Sequence, residues 1–324
     1  MPARLTFGNW VLLALFAAAL CLPFTGEVFY VRLATRMLIF AIIAVSLNIL
    51  VGYGGMVSFG HAAFVGLGAY TAAIMTYHGV ASGYAVWPAA LLVSALGALI
   101  IGALSLRTKG VYFIMVTLAF AQMAYFVFHD TKLGGGSDGI FLYTKPVIEI
   151  AGTALLDLDN KRHLYYTVLV ALVATYALLA LLQRSRFGHA LAGIRVNEQR
   201  MRAAGYATYG YKLAAFVIAG ALAGVAGFLL AVKDGAVNPE LLSWHESGAV
   251  LLMIILGGIG SLRGAVIGAV AFTLLKELFQ SEALLGAVAS RWQLTLGVTI
   301  IAFVALLPQG LIGLRARLAG ASRG

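Results

Sequence analysis

The residues best suited to act on something else lie together in one polar stretch. It runs from 184 to 212 and reads RSRFGHALAGIRVNEQRMRAAGYATYGYK. The types present suit recognition rather than bond making. Asn197 is a good helix N-cap, because its side-chain oxygen can accept from the free N–H groups of a first turn. Glu198 then sets negative charge at the positive end of that helix. Arg200 and Arg202 follow, and Gly205 can take the left-handed conformation that ends a helix. Such a short helix is marginal alone in water. It is expected to pack on its own protein and to offer side chains to a partner, as a helix laid in a groove does. The other reading is a helix held on anionic lipid headgroups by its arginines.

The motifs of other chemistries are missing. No GxxxxGK[ST] occurs, so no phosphate cradle for ATP is expected in this chain. The run GGGSDG at 134–139 lacks the lysine and reads as a tight turn. There is no HExxH, no GxSxG and no pair of carboxylates inside an apolar run, so no catalytic residue and no enzyme activity is expected. One cysteine, Cys21, and no Cys/His cluster leave no disulfide within the chain and no metal site. Ionisable groups within the apolar runs are few: His61, and Lys276 with Glu277 near one end of a run. Proton-driven carriers place such groups along their path. An ion-coupled secondary carrier is therefore the weaker alternative, although backbone carbonyls at broken helices can bind sodium without charged side chains. A path with so few charges suits an uncharged or zwitterionic cargo with an apolar side chain, driven by energy from elsewhere.

The elements that must hold these residues are membrane helices. Of the 324 residues, 62% are hydrophobic and 10% charged, with a mean hydropathy of +0.96. A soluble domain carries about 25% charged residues. Residues 37–106 contain no Asp, Glu, Lys or Arg, and one span takes about 20 apolar residues, so three fit there. The runs are too long for alternating barrel strands, and backbone groups in lipid must bond within their own segment. The fold class is all-α, a polytopic membrane protein, with residues 1–324 forming one transmembrane domain. About ten spans are predicted, at 9–23, 36–52, 58–76, 86–105, 111–128, 164–182, 213–232, 247–258, 264–280 and 292–307. Met1–Gly26 reads as a retained first span rather than a signal peptide.

With both termini inside, the inner segments hold most of the basic residues and a single acid, Glu198. That is the bias of the positive-inside rule. The net charge of +10 is then a topology signal. Nothing resembles a basic, aromatic-interleaved nucleic-acid face, and no nucleic-acid partner is expected; membrane lipid is. The same topology makes 184–212 cytoplasmic and 130–163 and 233–246 long outer loops. Asn48, Ser58, His61, Thr71, Thr117 and Gln122 are the polar groups within spans that are candidates for a translocation path. Gly54, Gly55, Gly257 and Gly258 are candidate helix breaks. They sit in an internal echo, Gly54-Gly55-x-x-Ser58 and Gly257-Gly258-x-x-Ser261, of the kind parallel repeats leave in transporters.

Several ordered pieces carry a resemblance. They are LNILVGYGGMVSFGHAAFVGLGAYTAA at 47–73, LGGGSDGI at 133–140, RSRFGHALAGIRVNE at 184–198, VNPELLSWHESGAVLLMIILGGIGSLRGAVIGA at 237–269 and LPQGLIGL at 307–314. Together they make the chain similar to the permeases of branched-chain amino acid ABC importers, of the LivM type. The resemblance covers about 47–314 and implies a machine of several chains. A second, LivH-type permease would pair with this one. Two cytoplasmic ABC ATPase subunits would sit below, binding the ATP and Mg that this chain does not bind. A periplasmic binding protein would deliver the cargo, and 184–212 would be the ATPase-coupling loop, with Arg195, Asn197, Glu198 and Gly205 at matching positions. Arg200-Met201-Arg202 departs from the family's Ala-Ala-Glu run, which implies an ATPase with a more acidic groove. Relatives of this architecture are also associated with urea, short amides and carboxylates, so those cargoes stand as an alternative.

Overall fold

The computed structural model describes residues 17, 19–25, 27–150, 153–281, 286–307 and 309–313. Most of the first predicted span lies outside the described residues. The other nine predicted spans each have a helix. These are α1 (Val28–Asn48), α2 (His61–Tyr77), α3 (Gly83–Ser105), α4 (Val111–Asp130), α5 (Lys161–Arg184), α8 (Thr208–Asp234), α9 (Trp244–Gly257), α10 (Leu262–Gln280) and α11 (Trp292–Leu306). The polar stretch between α5 and α8 folds as α6 (Arg186–Val196) and α7 (Glu198–Ala203).

Nine helices are not nine spans. Among the described residues six helices are long and apolar enough to cross a bilayer, or seven if the bent pair α9 and α10 is one span. At 1.5 Å per residue a helix needs about 20 residues to cross the hydrocarbon. α9 has 14 residues, and it meets α10 at a 115° bend. The predicted spans 247–258 and 264–280 are thus two arms of one broken or re-entrant segment. Gly258 and Gly260, with φ of 118° and 84°, make the corner, which residues with a Cβ adopt only under strain.

α1, α2 and α8 form the centre, with α3 packed against both α2 and α8, α5 and α10 flanking α1, and α4 and α11 at the rim. Glycine sets how closely the centre packs. A Cβ built on Gly68 of α2 would overlap the Gly224 carbonyl of α8, and one on Gly227 would overlap the Val65 carbonyl. Lipid supplies no hydrophobic force between helices, so dispersion across close backbones holds them together, and that needs small residues at the contact. Exposed Leu92, Leu96 and Ile100 on α3, and Met115 and Met123 on α4, leave those helices apolar outwards.

The long loops on the face away from 184–212 are not wholly irregular. β1 (Ile140–Phe141) pairs antiparallel with β4 (Ala236–Val237), and so stitches 130–163 to 233–246. β2 (Val147–Ile150) pairs with β3 (Thr153–Asp157). Gly139 lies so close to the Val237 carbonyl that a Cβ would overlap it. The GGGSDG run is a turn, as its composition implied: Gly135, Gly136 and Gly139 all have positive φ.

The chain returns into the protein between Tyr53 and His61, and its backbone polar groups there are met by hydroxyls. Phe59 N–H donates to Thr117 Oγ1 at 3.2 Å, Gly60 N–H to Ser58 Oγ at 3.2 Å and Ala62 N–H to Ser247 Oγ at 2.9 Å. The N-cap residue of α2 is Gly60, which has no side chain to offer. Ser247 of α9 therefore caps α2 from another element. Ser247→Ala would leave the buried Ala62 N–H bare, at a cost of about 1–3 kcal/mol. A lower unfolding midpoint in detergent is expected, with Ser247→Thr retaining most of the stability; an unchanged midpoint for Ser247→Ala would show that the bond contributes nothing.

Candidate functional site

α7 is built by local chemistry. Asn197 Oδ1 accepts from Arg200 N–H at 2.9 Å, which is the expected cap. At the other end Gly205 has φ of 87°. Its N–H donates to Arg202 O at 2.9 Å, and Tyr206 N–H donates to Met201 O at 3.1 Å. This pair of bonds is the Schellman closure of a helix. Gly193 on α6 faces the sulfur of Met201, where a Cβ would crowd it, so α7 folds back against α6.

Glu198 points inward. Its carboxylate accepts from Lys212 Nζ at 2.6 Å, Arg202 Nη2 at 2.5 Å and Thr208 Oγ1 at 3.1 Å, and Lys109 Nζ stands 3.8 Å away. One side chain thus joins α7 to the start of α8 and to the turn between α3 and α4. Burial alone would push its carboxyl up. The hydrogen bond and charge of Lys212, with the bonds from Arg202 and Thr208, outweigh that and hold it at about 2, below the ordinary 4.5. Arg202 also donates from Nε to Thr208 Oγ1 at 3.0 Å, so its charge is largely spent within the loop. Arg200 is exposed and outside this knot. Val196 is 86% exposed beside it.

Arg195 reaches the other way. Its Nη1 donates to the Gly52 carbonyl, and its aliphatic stem lies under Gly55, whose φ is 65°. Gly52 belongs to the π-helical turn Ile49–Tyr53 that ends α1. Gly52 in turn lies against the backbone of Gly260, at the corner between α9 and α10. Asn48 closes the junction: its Oδ1 accepts from Gly260 N–H at 3.1 Å. The two Gly-Gly-x-x-Ser echoes thus flank one meeting point. Gly54 ends the π turn, and Gly257 packs against the Gly264 carbonyl too closely to admit a Cβ. A cavity of about 480 Å³ opens between the 54–57 segment, the 106–114 turn and the loop residues Ile194, Arg195 and Glu198.

The predicted path residues divide. Asn48, Ser58, His61 and Thr117 are wholly buried; Asn48 lies at the junction and the other three at the start of α2. His61 Nε2 is 2.9 Å from Ser46 Oγ. That hydroxyl gives its one hydrogen to Ile43 O at 2.8 Å, so Nε2 carries the proton and donates. Among the described residues Nδ1 is then a buried acceptor with no partner, as Asn48 Nδ2 is a donor with none. Thr117 donates to Ile114 O at 2.9 Å and accepts from Phe59. Thr71 only donates to Leu67 O of its own helix, at 2.7 Å, and half-buried Gln122 joins no polar group of the site. A groove of about 540 Å³ runs beside the α2 start, lined by Val57, Phe59, Trp244, Leu252 and Ile255.

Sequence reading missed Ser46, Ser247, Lys109, Thr208, Lys212 and the contact of Gly52 with Gly260. Only Lys212 and Lys109 carried a signal, as cations on the same predicted side as a lone acid. Among the described residues no group of His, Cys, Asp and Glu could hold a metal ion.

Arg195→Ala removes the tie between loop and junction while leaving the Glu198 knot. Uptake is expected to fall at least about tenfold, since one hydrogen bond from a charged donor is worth about 1.5–3 kcal/mol and each 1.4 kcal/mol is a factor of ten. Arg195→Lys is expected to recover only part, because a single ammonium cannot match the reach of the planar fork. Wild-type uptake by Arg195→Ala would remove this bond from the mechanism.

Residues 29–305 match the family model described as branched-chain amino acid transport system / permease component. The high-affinity branched-chain amino acid transport system permease protein LivM of Salmonella typhimurium (strain LT2) is 30% identical over 320 residues, covering 93% of this chain and 74% of that protein. The LivM protein of Escherichia coli (strain K12) gives the same identity and coverage. No solved structure matches the chain. With apolar helices enough for a multi-pass protein and a family match over most of its length, the chain belongs to the permease components of branched-chain amino acid transport systems.

Proposed function

We propose that the chain is the membrane-spanning permease subunit of an ATP-driven ABC importer, in the inner membrane, for branched-chain or similar hydrophobic amino acids. One observation above all supports this: Arg195 bonds the polar loop to the junction where the end of α1 meets the corner between α9 and α10. A push on the loop is thereby delivered to two helix breaks. Broken helices are where transporters place their cargo sites and their moving parts.

In this reading the 184–212 face and both termini are cytoplasmic, and 184–212 is the coupling loop. Exposed Val196 and Arg200 meet an ATPase subunit. Arg200 asks for an acidic residue in that groove, whereas Arg202 is already paired with Glu198. ATP and Mg bind on the two ATPase chains. A LivH-type second permease completes the path, and a periplasmic binding protein delivers cargo to the opposite face. The apolar groove lined by Phe59, Trp244, Leu252 and Ile255 suits a branched aliphatic side chain.

The test is gentle extraction of the tagged chain from native membranes, followed by mass spectrometry. A second permease and ABC ATPase subunits are expected in stoichiometric amounts. Recovery of the chain alone, where a control ABC complex stays intact, would end the proposal. Uptake of labelled leucine competed by leucine, urea and aromatic acids then fixes the cargo. Leucine is expected to compete and urea not to.

A further inference from the structure

On the loop face, where α5 leaves the bilayer, lies a second groove, of about 640 Å³. Arg184, Arg186 and His189 line it, with Tyr206 and Tyr211 opposite. No acid lines it. Among the described residues neither arginine has an ion pair, and both are exposed. His189 Nδ1 lies 2.8 Å from the Ser185 carbonyl. A carbonyl can only accept, so Nδ1 carries the proton and Nε2 is the free acceptor. The groove also holds the start of α6, whose eleven residues direct a positive helix end into it. Tyr211 is kept in place by stacking on Phe187, with centroids 5.6 Å apart.

What leads to the groove is equally telling. Along α5, Val170, Leu178 and Leu181 are 67%, 45% and 68% exposed. Their spacing puts them on one helical stripe, and Arg184 is the next step of it. α5, with 24 residues in all, is long and apolar enough to cross the bilayer, which sets Arg184, its last residue, at the boundary. An apolar track in the membrane therefore ends in two unneutralised guanidinium groups and a hydrogen-bond acceptor.

We propose that this groove is a discrete site for an anionic phospholipid. Arg184 and Arg186 take the phosphate, for which the guanidinium fork is suited. His189 Nε2 accepts from a headgroup hydroxyl, as a glycerol headgroup offers. One acyl chain lies along Val170, Leu178 and Leu181. The charge of the pair and its place at the bilayer boundary select a lipid rather than a soluble anion.

The experiment is native mass spectrometry of the detergent-extracted full chain with whatever subunits remain bound. It is titrated with dioleoylphosphatidylglycerol or with dioleoylphosphatidylcholine. The wild type is expected to hold the phosphatidylglycerol at least about tenfold more tightly, as loss of two charge-assisted bonds implies. Arg184→Gln/Arg186→Gln is expected to bring the two lipids within about twofold. Arg184→Lys/Arg186→Lys, which keeps the charge, should lie between and guards against a folding defect. Lys132→Gln/Arg162→Gln, on the opposite face, should leave the preference intact. Equal binding of both lipids by the wild type would overturn the site, as would a preference that survives the double Gln variant. So would a double Gln variant that keeps the lipid preference but loses a co-purifying subunit, since the groove would then belong to that protein.

Discussion

Glu198→Gln is expected to abolish uptake while the chain still inserts and assembles its spans. The substitution keeps the shape and removes the charge that Lys212, Arg202 and Thr208 share. Lys212 is only 15% exposed, so it is left as an uncompensated cation in a poorly solvated place. Removing one partner of such a pair costs more than the pair gains, about 3 kcal/mol where burial is substantial. The cost falls on the loop, because Arg202 sits on α7 while Thr208 and Lys212 sit at the start of α8. A loop that is no longer tied to α8 cannot move α8, so at least about a hundredfold loss of uptake is expected, by the factor of ten per 1.4 kcal/mol. Uptake in proteoliposomes checks this beside an insertion control, and wild-type rates would show that the knot plays no part in coupling.

The same carboxylate sets a pH limit. Its folded value of about 2 is below the ordinary 4.5, so the ionised form is the one the fold favours. The stabilisation is fully present above about 4.5 and is lost as the pH falls from there through 2. Between pH 5 and 8 this group leaves the stability of the loop unchanged. A spin label at Ala203→Cys in a Cys21→Ser background should stay immobile down to about pH 3 and become mobile as the pH falls through about 2. In Glu198→Gln it should be mobile at every pH.

Gly227→Ala is expected to destabilise the fold, although alanine is the better helix former by about 1 kcal/mol. The added methyl would overlap the Val65 carbonyl. A backbone atom cannot swing aside as a side chain does, so α2 and α8 must separate along their contact. Overpacking costs about 1–3 kcal/mol, or more where the backbone must shift. Separation also disturbs Gly68 against Gly224 one turn away, so the damage is shared along the seam. Gly297→Ala is the matched control. It lies in α11 with nothing near its missing Cβ, so propensity alone acts and the midpoint should hold or rise. Thermal unfolding in detergent measures both; equal midpoints for the two would refute the account of the central seam.

Much was legible without the structure. Apolar runs without charge declared helices in lipid, because composition and length decide whether a segment can enter a bilayer. Nine of the eleven described helices coincide with nine predicted apolar runs. α7 was legible to its ends, since Asn197 and Gly205 act on neighbours within a few residues. The tight turn at 134–139 needed only the conformational freedom of its glycines.

Tertiary structure decided the rest, and the reason is distance along the chain. An apolar run reads the same whether it crosses the membrane or bends by 115° halfway, because packing chooses between them. Glu198 read as a charge set at the positive end of its own helix, yet its carboxylate turns to Lys212 because α8 returns beside it. Thr71 and Thr117 looked equivalent, but only Thr117 lies where Phe59 re-enters the protein with an N–H to satisfy. Gly52 and Gly260 are far apart in sequence, and Ser247 gives no local sign that it caps α2. Local chemistry therefore determined the helices and the capped loop. The approach of residues distant in sequence determined which of them meet where the loop grips the broken helices.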